Sequence, residues 1–153
     1  MGQGEQGRPS RRFGLAGTGS FKAPDRRDLV PAPVKKALVI DDDPDMVKLI
    51  GTLLGTLGLQ ILPAYDAMQG LIVAQREDPA LIVVDLHMPA GGGLRLLEKL
   101  KASARTGDIP IVVVTADATS DLPKKVRELG ARDFVRKPID PESFLRTIRQ
   151  HLT

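Results

Sequence analysis

A doubly wound α/β fold is predicted: five βα units, (βα)5, with a parallel five-stranded sheet in the order 2-1-3-4-5. Three observations carry that prediction. From Val34 onward, short apolar runs alternate with longer stretches whose apolar residues recur at helical spacing, the alternation that builds a parallel sheet with helices on both faces. The short runs are continuously apolar and rich in β-branched residues, most clearly Leu81-Ile82-Val83-Val84 and Ile111-Val112-Val113-Val114, so they read as strands covered on both sides. Four of these runs end in a polar or charged residue (Asp41, Asp85, Thr115 and Lys137), at the strand ends where open α/β sheets place their ligands.

Each element follows in order. Ala37–Ile40 is the first strand, ended by Asp41-Asp42-Asp43. Pro44 suits the first helical position with Asp43 as cap, and that helix runs to about Leu57 before Gly58 stops it. Its core face is Val47, Ile50, Leu54 and Leu57, while Lys48, Gly51, Thr52 and Gly55 fall on the other side. Leu59–Tyr65 is a shorter second strand. Asp66 caps the second helix, whose inward face is Met68, Leu71, Ile72 and Gln75, and which ends before Pro79. Leu81–Val84 is the third strand. The third helix follows the Gly91-Gly92-Gly93 loop, with Leu94, Leu97 and Leu100 inward. Ile111–Val114 is the fourth strand, and Thr115-Ala116 ends it. Ser120 or Asp121 caps the fourth helix, with Pro123 in its first turn, Leu122, Val126 and Leu129 inward, and Gly130 closing it. Phe134-Val135 centres the fifth strand and Lys137-Pro138 ends it. Asp140-Pro141 then starts a fifth helix with Phe144, Ile148 and Leu152 on one stripe. Right-handed crossovers that fold back at the first strand set the strand order and put a switch point between strands one and three.

Composition narrows the chemistry. The 153 residues include four Phe, one Tyr and no Trp, so the core is aliphatic. There is no Cys, which excludes disulfides, thiolate chemistry and Cys-zinc sites. Of the 22 Lys/Arg and 19 Asp/Glu, six and three fall in residues 1–33, leaving sixteen of each in 34–153. The folded part is neutral, and the net charge of +3 comes from the tail, so binding to nucleic acid is not expected. Residues 1–33 hold six Gly and four Pro and are read as a disordered extension, with Pro31 and Pro33 a stiff entry to the first strand. Ser10–Leu15 has a twin-arginine look without the apolar stretch an export signal needs. Met1-Gly2 lacks the Ser/Thr of a myristoylation signal, and no run spans a membrane. A cytoplasmic protein is expected.

The topology brings Asp41, Asp42 and Asp85 together at the switch point. Like charges so close repel unless one stays protonated or a hard cation neutralises them. Mg2+, with Mn2+ as an alternative, suits one to three carboxylates and keeps phosphate oxygens in its shell. Capping explains Asp43 well and Asp41 and Asp42 poorly. Thr115 and Lys137, at the neighbouring strand ends, offer a hydroxyl and an ammonium to the same place. Together they form a phosphoryl-transfer site with a carboxylate nucleophile.

These residues stand in Val39-Ile-Asp-Asp-Asp-Pro44, Val83-Val-Asp-Leu-His-Met-Pro89, Gly93, Val113-Val-Thr-Ala116, Gly130-Ala131 and Phe134-Val-Arg-Lys-Pro138. In this combination the chain resembles the receiver domain of bacterial two-component response regulators, CheY-like and flavodoxin-like in fold, over about residues 34–153. The resemblance implies that Asp85 accepts a phosphoryl group from the phosphohistidine of a sensor histidine kinase or phosphotransfer protein. It implies Asp42 as a direct metal ligand, Asp41 as one through water, and the backbone carbonyl of His87 as a third. Thr115 would swing toward the phosphoryl group with Phe134 turning inward, Lys137 would contact phosphoryl oxygens, and the bond to Pro138 would be cis. The switched surface would be the fourth helix, fifth strand and fifth helix, in a monomer or a phosphorylation-dependent dimer.

Some features are particular to this chain. His87 reads either as a transition-metal ligand, or a group governing water attack, or as a residue contributing only its carbonyl with the ring in solvent. The last of these, the carbonyl alone with the ring in solvent, is preferred because hard Mg2+ does not seek imidazole. His87 and Asp117, which flank the entrance, are expected to tune phosphoryl lifetime. Gly51 and Gly55 on the first helix are read either as room for a kinase helix to approach or as tolerated surface glycines. Two further functions compete: a Mg2+-dependent phosphatase with an aspartyl nucleophile, and a phosphorylation-independent interaction domain. The phosphatase would usually carry a second acid where His87 stands. Since the chain stops after the fifth helix, output by contact with an unknown downstream protein is expected, from a stand-alone receiver or a fragment of a longer one.

Overall fold

The computed structural model describes residues 22–26, 32–89, 92–117 and 119–152. Two compact units are distinguished, residues 1–33 and 34–153. In the first, only 22–26 and 32–33 are described, all exposed. The expectations placed on the rest of that segment, including disorder, Pro31 and the twin-arginine stretch, lie outside the described residues.

In the second unit the order is β1 (Lys36–Ile40), α1 (Pro44–Gly55), β2 (Gln60–Ala64), α2 (Ala67–Glu77), β3 (Leu81–Val84), α3 (Gly92–Ala102), β4 (Ile111–Thr115), α4 (Leu122–Glu128), β5 (Asp133–Arg136) and α5 (Pro141–Arg149). The sheet is parallel throughout, in the order β2-β1-β3-β4-β5. Side chains of successive strand residues point to opposite faces, and the strands supply both cores alternately. Leu38, Ile40, Ile82, Val84, Ile111 and Val113 join α2, α3 and α4 on one side. Ala37, Val39, Leu81, Val83, Val112 and Val114 join α1 and α5 on the other. Every residue of β3 and β4 is buried, at a gain of about 1.5–3 kcal/mol for each large aliphatic side chain. This double coverage is why these strands read as unbroken apolar runs.

The caps follow the sequence at three helices. Asp43 accepts from the Asp45 amide, Asp66 from that of Gln69 and Asp140 from that of Ser143. At α4 the cap position is Asp121, but its side chain makes no capping bond. Helix α1 ends at Gly55, with turns continuing to Gly58 at φ 81°. Among the described residues no helix is long and apolar enough to cross a membrane.

Three predicted helix faces need correction. On α2, Met68, Ile72 and Gln75 are exposed and Leu71 is half-buried; Gly70 and Ala74 face the core. A Cβ on Gly70 would lie 2.6 Å from Ile40 Cδ1, so the helix comes close to β1 at its smallest residue, with Leu71 and Val73 packed against the same core. Helix α3 begins at Gly92 and buries Gly93, Leu96, Leu97 and Leu100, with Leu94 only half-buried; Gly91 lies outside the described residues. On α1, Gly51 is half-buried against β2, where an added Cβ would meet Ile61 Cγ2 at 3.2 Å, while Gly55 has open space around its Cα.

Candidate phosphoryl-transfer site

Strand register assembles the site. Ile40 pairs with Val84 and Thr115 with Arg136, so the next residues along, Asp41, Asp85 and Lys137, emerge at one edge of the sheet. Backbone bonds extend the pairing one step past each strand: Asp85 N donates to Ile40 O at 2.9 Å and Lys137 N to Thr115 O at 2.9 Å. The bond between Lys137 and Pro138 is cis.

Asp41, Asp85 and Thr115 are buried, and Asp42 is exposed beside them. One carboxylate oxygen from each of Asp41, Asp42 and Asp85 lies within 4.8 Å of the others. Lys137 Nζ donates to Asp41 Oδ2 at 2.9 Å and to Asp85 Oδ2 at 3.3 Å. The second oxygen of each acid takes a backbone amide, Asp43 N to Asp41 and His87 N to Asp85. Burial pushes the Asp41 carboxyl above the ordinary aspartate value and the Asp85 charge adds to the rise, against the bonds from Asp43 and Lys137. Burial alone would pull the Lys137 ammonium down, but its bond to Asp41 and the charges of Asp85 and Asp41 outweigh this and raise it. The ammonium therefore stays charged and balances part of an acidic cluster that burial disfavours.

Three oxygens of this kind with one ammonium leave net negative charge. The donor set is all carboxylate, and it fits a hard divalent cation with oxygen preference. The backbone carbonyl of His87, two residues past Asp85, is a further oxygen on the same segment.

Thr115 is fully buried at the end of β4, and its hydroxyl accepts from Asp117 N at 3.3 Å. Phe134 is half-buried against the core that holds Val113 and Leu122. The His87 ring is 59% exposed, and its Nε2 stands 3.5 Å from Asp117 Oδ2. That link between the loops after β3 and β4 was not anticipated from sequence, although both residues were singled out. Thr119 was missed altogether: its hydroxyl and amide both donate to Asp117 Oδ1 and, with the His87 and Arg136 charges, hold that carboxyl below the usual range. A short polar residue two positions after an acid is the signal for such a turn.

Gly93 was quoted as a motif position without a reason, and the structure supplies one. A Cβ there would sit 2.4 Å from Leu86 Cα and 2.6 Å from Leu86 O. The first turn of α3 thus rests on the backbone next to Asp85, and only glycine allows that approach. Lys101, also unforeseen, runs across Gly130 and donates to Gly107 O and Ile109 O, each at 3.0 Å. Burial first, then the Arg132 charge, lowers its ammonium below the ordinary lysine value. It holds the turn between α3 and β4 and has no part in the acidic centre.

Comparison with known proteins agrees with this geometry. Residues 37–149 match the family model of the response regulator receiver domain. The chain is 33% identical over 114 residues to Protein PilH of Pseudomonas aeruginosa, covering 74% of this chain and 93% of that one. It is 33% identical over 116 residues to the DNA-binding regulator RpaA of Synechocystis, 74% of this chain but only 47% of that protein. Among solved structures, chemotaxis response regulator CheY4 of Vibrio cholerae superposes with TM-score 0.71 at 26% identity, over 78% of this chain and all of that one. A CheY-like receiver from Methanospirillum hungatei gives TM-score 0.71 at 25% identity, over 77% and 93%. With the strand order, the convergent acids and the family match in agreement, the chain belongs to the response regulator receiver domain family.

Proposed function

We propose that the protein is a phosphorylation-controlled switch of the two-component type, with Asp85 as acceptor. The observation that carries this reading is the placement of Lys137 Nζ on both Asp41 and Asp85. A carboxylate oxygen of Asp85 forms a bond to phosphorus as the N–P bond of a donor phosphohistidine breaks. The histidine nitrogen leaves with the electron pair and takes up a proton. Asp42 directly, Asp41 through water, Asp85 and the His87 carbonyl would hold Mg2+ or Mn2+. Such a cation supplies charge neutralisation for the oxygens of the transferring group.

Lys137 and Thr115 provide a cation and a hydroxyl for the phosphoryl oxygens, each a charge-assisted bond. Lys137 already faces Asp85, and Thr115 has its hydroxyl occupied only by the Asp117 amide among the described contacts. Satisfying the new group biases Thr115 and Phe134, and through them the surface of α4, β5 and α5 where a downstream protein would bind. The chemistry is self-phosphorylation and self-dephosphorylation, not turnover of an external substrate, in a cytoplasmic setting.

Incubation with acetyl phosphate and Mg2+, followed by intact mass, tests the reading. A lasting adduct of one phosphoryl group is expected. Sustained turnover of a phosphate ester without an adduct would make the protein a phosphatase, and no reaction would leave an interaction domain.

A further inference from the structure

Part of α2 is not used by the fold. Met68 and Ile72 stand one turn apart, 66% and 41% exposed, while Gly70 and Ala74 are buried and Ala67, Leu71 and Val73 pack against the core beside them. Beside them a hollow of about 250 Å3 opens between α2 and α3, with Met68, Leu71 and Leu96 in its lining and Pro89 at its border. Its charged lining has one sign. Arg95 and Lys99, one turn apart on α3, line it, and no carboxylate does among the described residues.

We propose that this groove docks an acidic amphipathic helix of a partner protein. Its apolar stripe would cover Met68, Leu71 and Ile72 and its carboxylates would meet Arg95 and Lys99. A second copy of the chain fits poorly. Each of its helices α1 to α5 holds a single acid (Asp45, Glu77, Glu98, Glu128 and Glu142), too few to meet Arg95 and Lys99 together. Residues 1–33, with six basic against three acidic residues, would bring like charge to the rim. Pro89 and Gly92 place the groove on the segment leading from Asp85 to α3. If Asp85 is the acceptor proposed above, on which this clause alone rests, docking and phosphorylation are coupled reciprocally.

The probe is a synthetic helix of Glu and Leu, with Leu at i, i+3, i+4 and i+7, compared with its Lys-for-Glu counterpart by amide chemical shifts of the whole chain. The Glu helix is expected to shift Met68, Leu71, Arg95 and Lys99. Charge reversal, Arg95→Glu with Lys99→Glu, weakens it about tenfold and favours the Lys helix. Met68→Ser with Ile72→Ser weakens both. Equal binding of the two helices, shifts centred on another face, or no saturable binding of the Glu helix would overturn the proposal. So would self-association abolished by Met68→Ser with Ile72→Ser, which would make a second copy the occupant. Beryllofluoride, a phosphoryl analogue, should change Glu-helix affinity in the parent but not in Asp85→Asn. Unchanged affinity despite shifts at Asp85 overturns the coupling, whereas no response at Asp85 counts against the acceptor reading instead.

Discussion

Replacing Lys137 with Met keeps most of the aliphatic stem and removes the ammonium. In the parent that ammonium lies 2.9 Å from Asp41 and 3.3 Å from Asp85. Without it, two buried carboxylates face each other at up to 4.8 Å. At that distance and an effective dielectric of about 20, their repulsion is at least ~3.5 kcal/mol. Partial proton uptake by Asp41, whose carboxyl is already raised by burial, relieves some of it, so a loss of about 2 kcal/mol is expected near pH 7. The sign follows from proton counting. The folded variant holds a proton more tightly than the unfolded chain, so its stability rises as pH falls through the folded value. The deficit against the parent should therefore shrink toward pH 4. Mg2+ should stabilise the variant more than the parent, because the cation meets carboxylates that no ammonium occupies; saturation at a hundredfold excess over Kd is worth about 2.7 kcal/mol. Urea unfolding followed by far-UV circular dichroism, at both pH values with and without Mg2+, reads all of this. An equal deficit at both pH values, insensitive to Mg2+, would refute the reasoning and assign Lys137 a packing role through its stem.

Three further outcomes are expected. Gly93→Ala, whose Cβ would fall 2.4 Å from Leu86 Cα, should cost about 1–3 kcal/mol and slow phosphoryl uptake at the adjacent Asp85; parental urea midpoint and uptake would contradict this. Gly55→Ala meets nothing within 4 Å and should gain about 1 kcal/mol, with Gly51→Ala gaining less because Ile61 must yield; equal midpoints in urea would remove the distinction. His87→Ala and Asp117→Ala should each still accept a phosphoryl group but lose it at an altered rate, since the two side chains face each other across the entrance. Dephosphorylation followed by intact mass decides, and unchanged rates in both would end that idea.

The strands and the acidic centre were legible because both depend on chain order. A strand buried on two faces must be apolar throughout, and a parallel sheet puts successive carboxyl ends side by side. Asp41, Asp85, Thr115 and Lys137 could thus be brought together before any distance was known. The helix faces were less legible where packing is set by closeness rather than hydrophobicity. A wheel drawn from large apolar residues turns α2 toward Met68 and Ile72, whereas the helix approaches Ile40 through Gly70 and buries Ala74 one turn on. Leu96 was missed because the inward stripe was drawn through Leu94, whereas the buried face of α3 is centred on Gly93, Leu96, Leu97 and Leu100. Lys101 was invisible because its partners are backbone carbonyls six and eight residues on, a contact that charge patterning does not register. The same misread stripe on α2 is what leaves an apolar surface beside Arg95 and Lys99.

The central claim is that the carboxylate at the end of β3 is chemically rewritten. Intact mass of the parent and of Asp85→Asn, after acetyl phosphate and Mg2+, tests it most directly. One phosphoryl group on the parent, lost on brief alkaline treatment and missing from Asp85→Asn, is the predicted result. An adduct of equal extent in Asp85→Asn, or none in the folded parent, would contradict it.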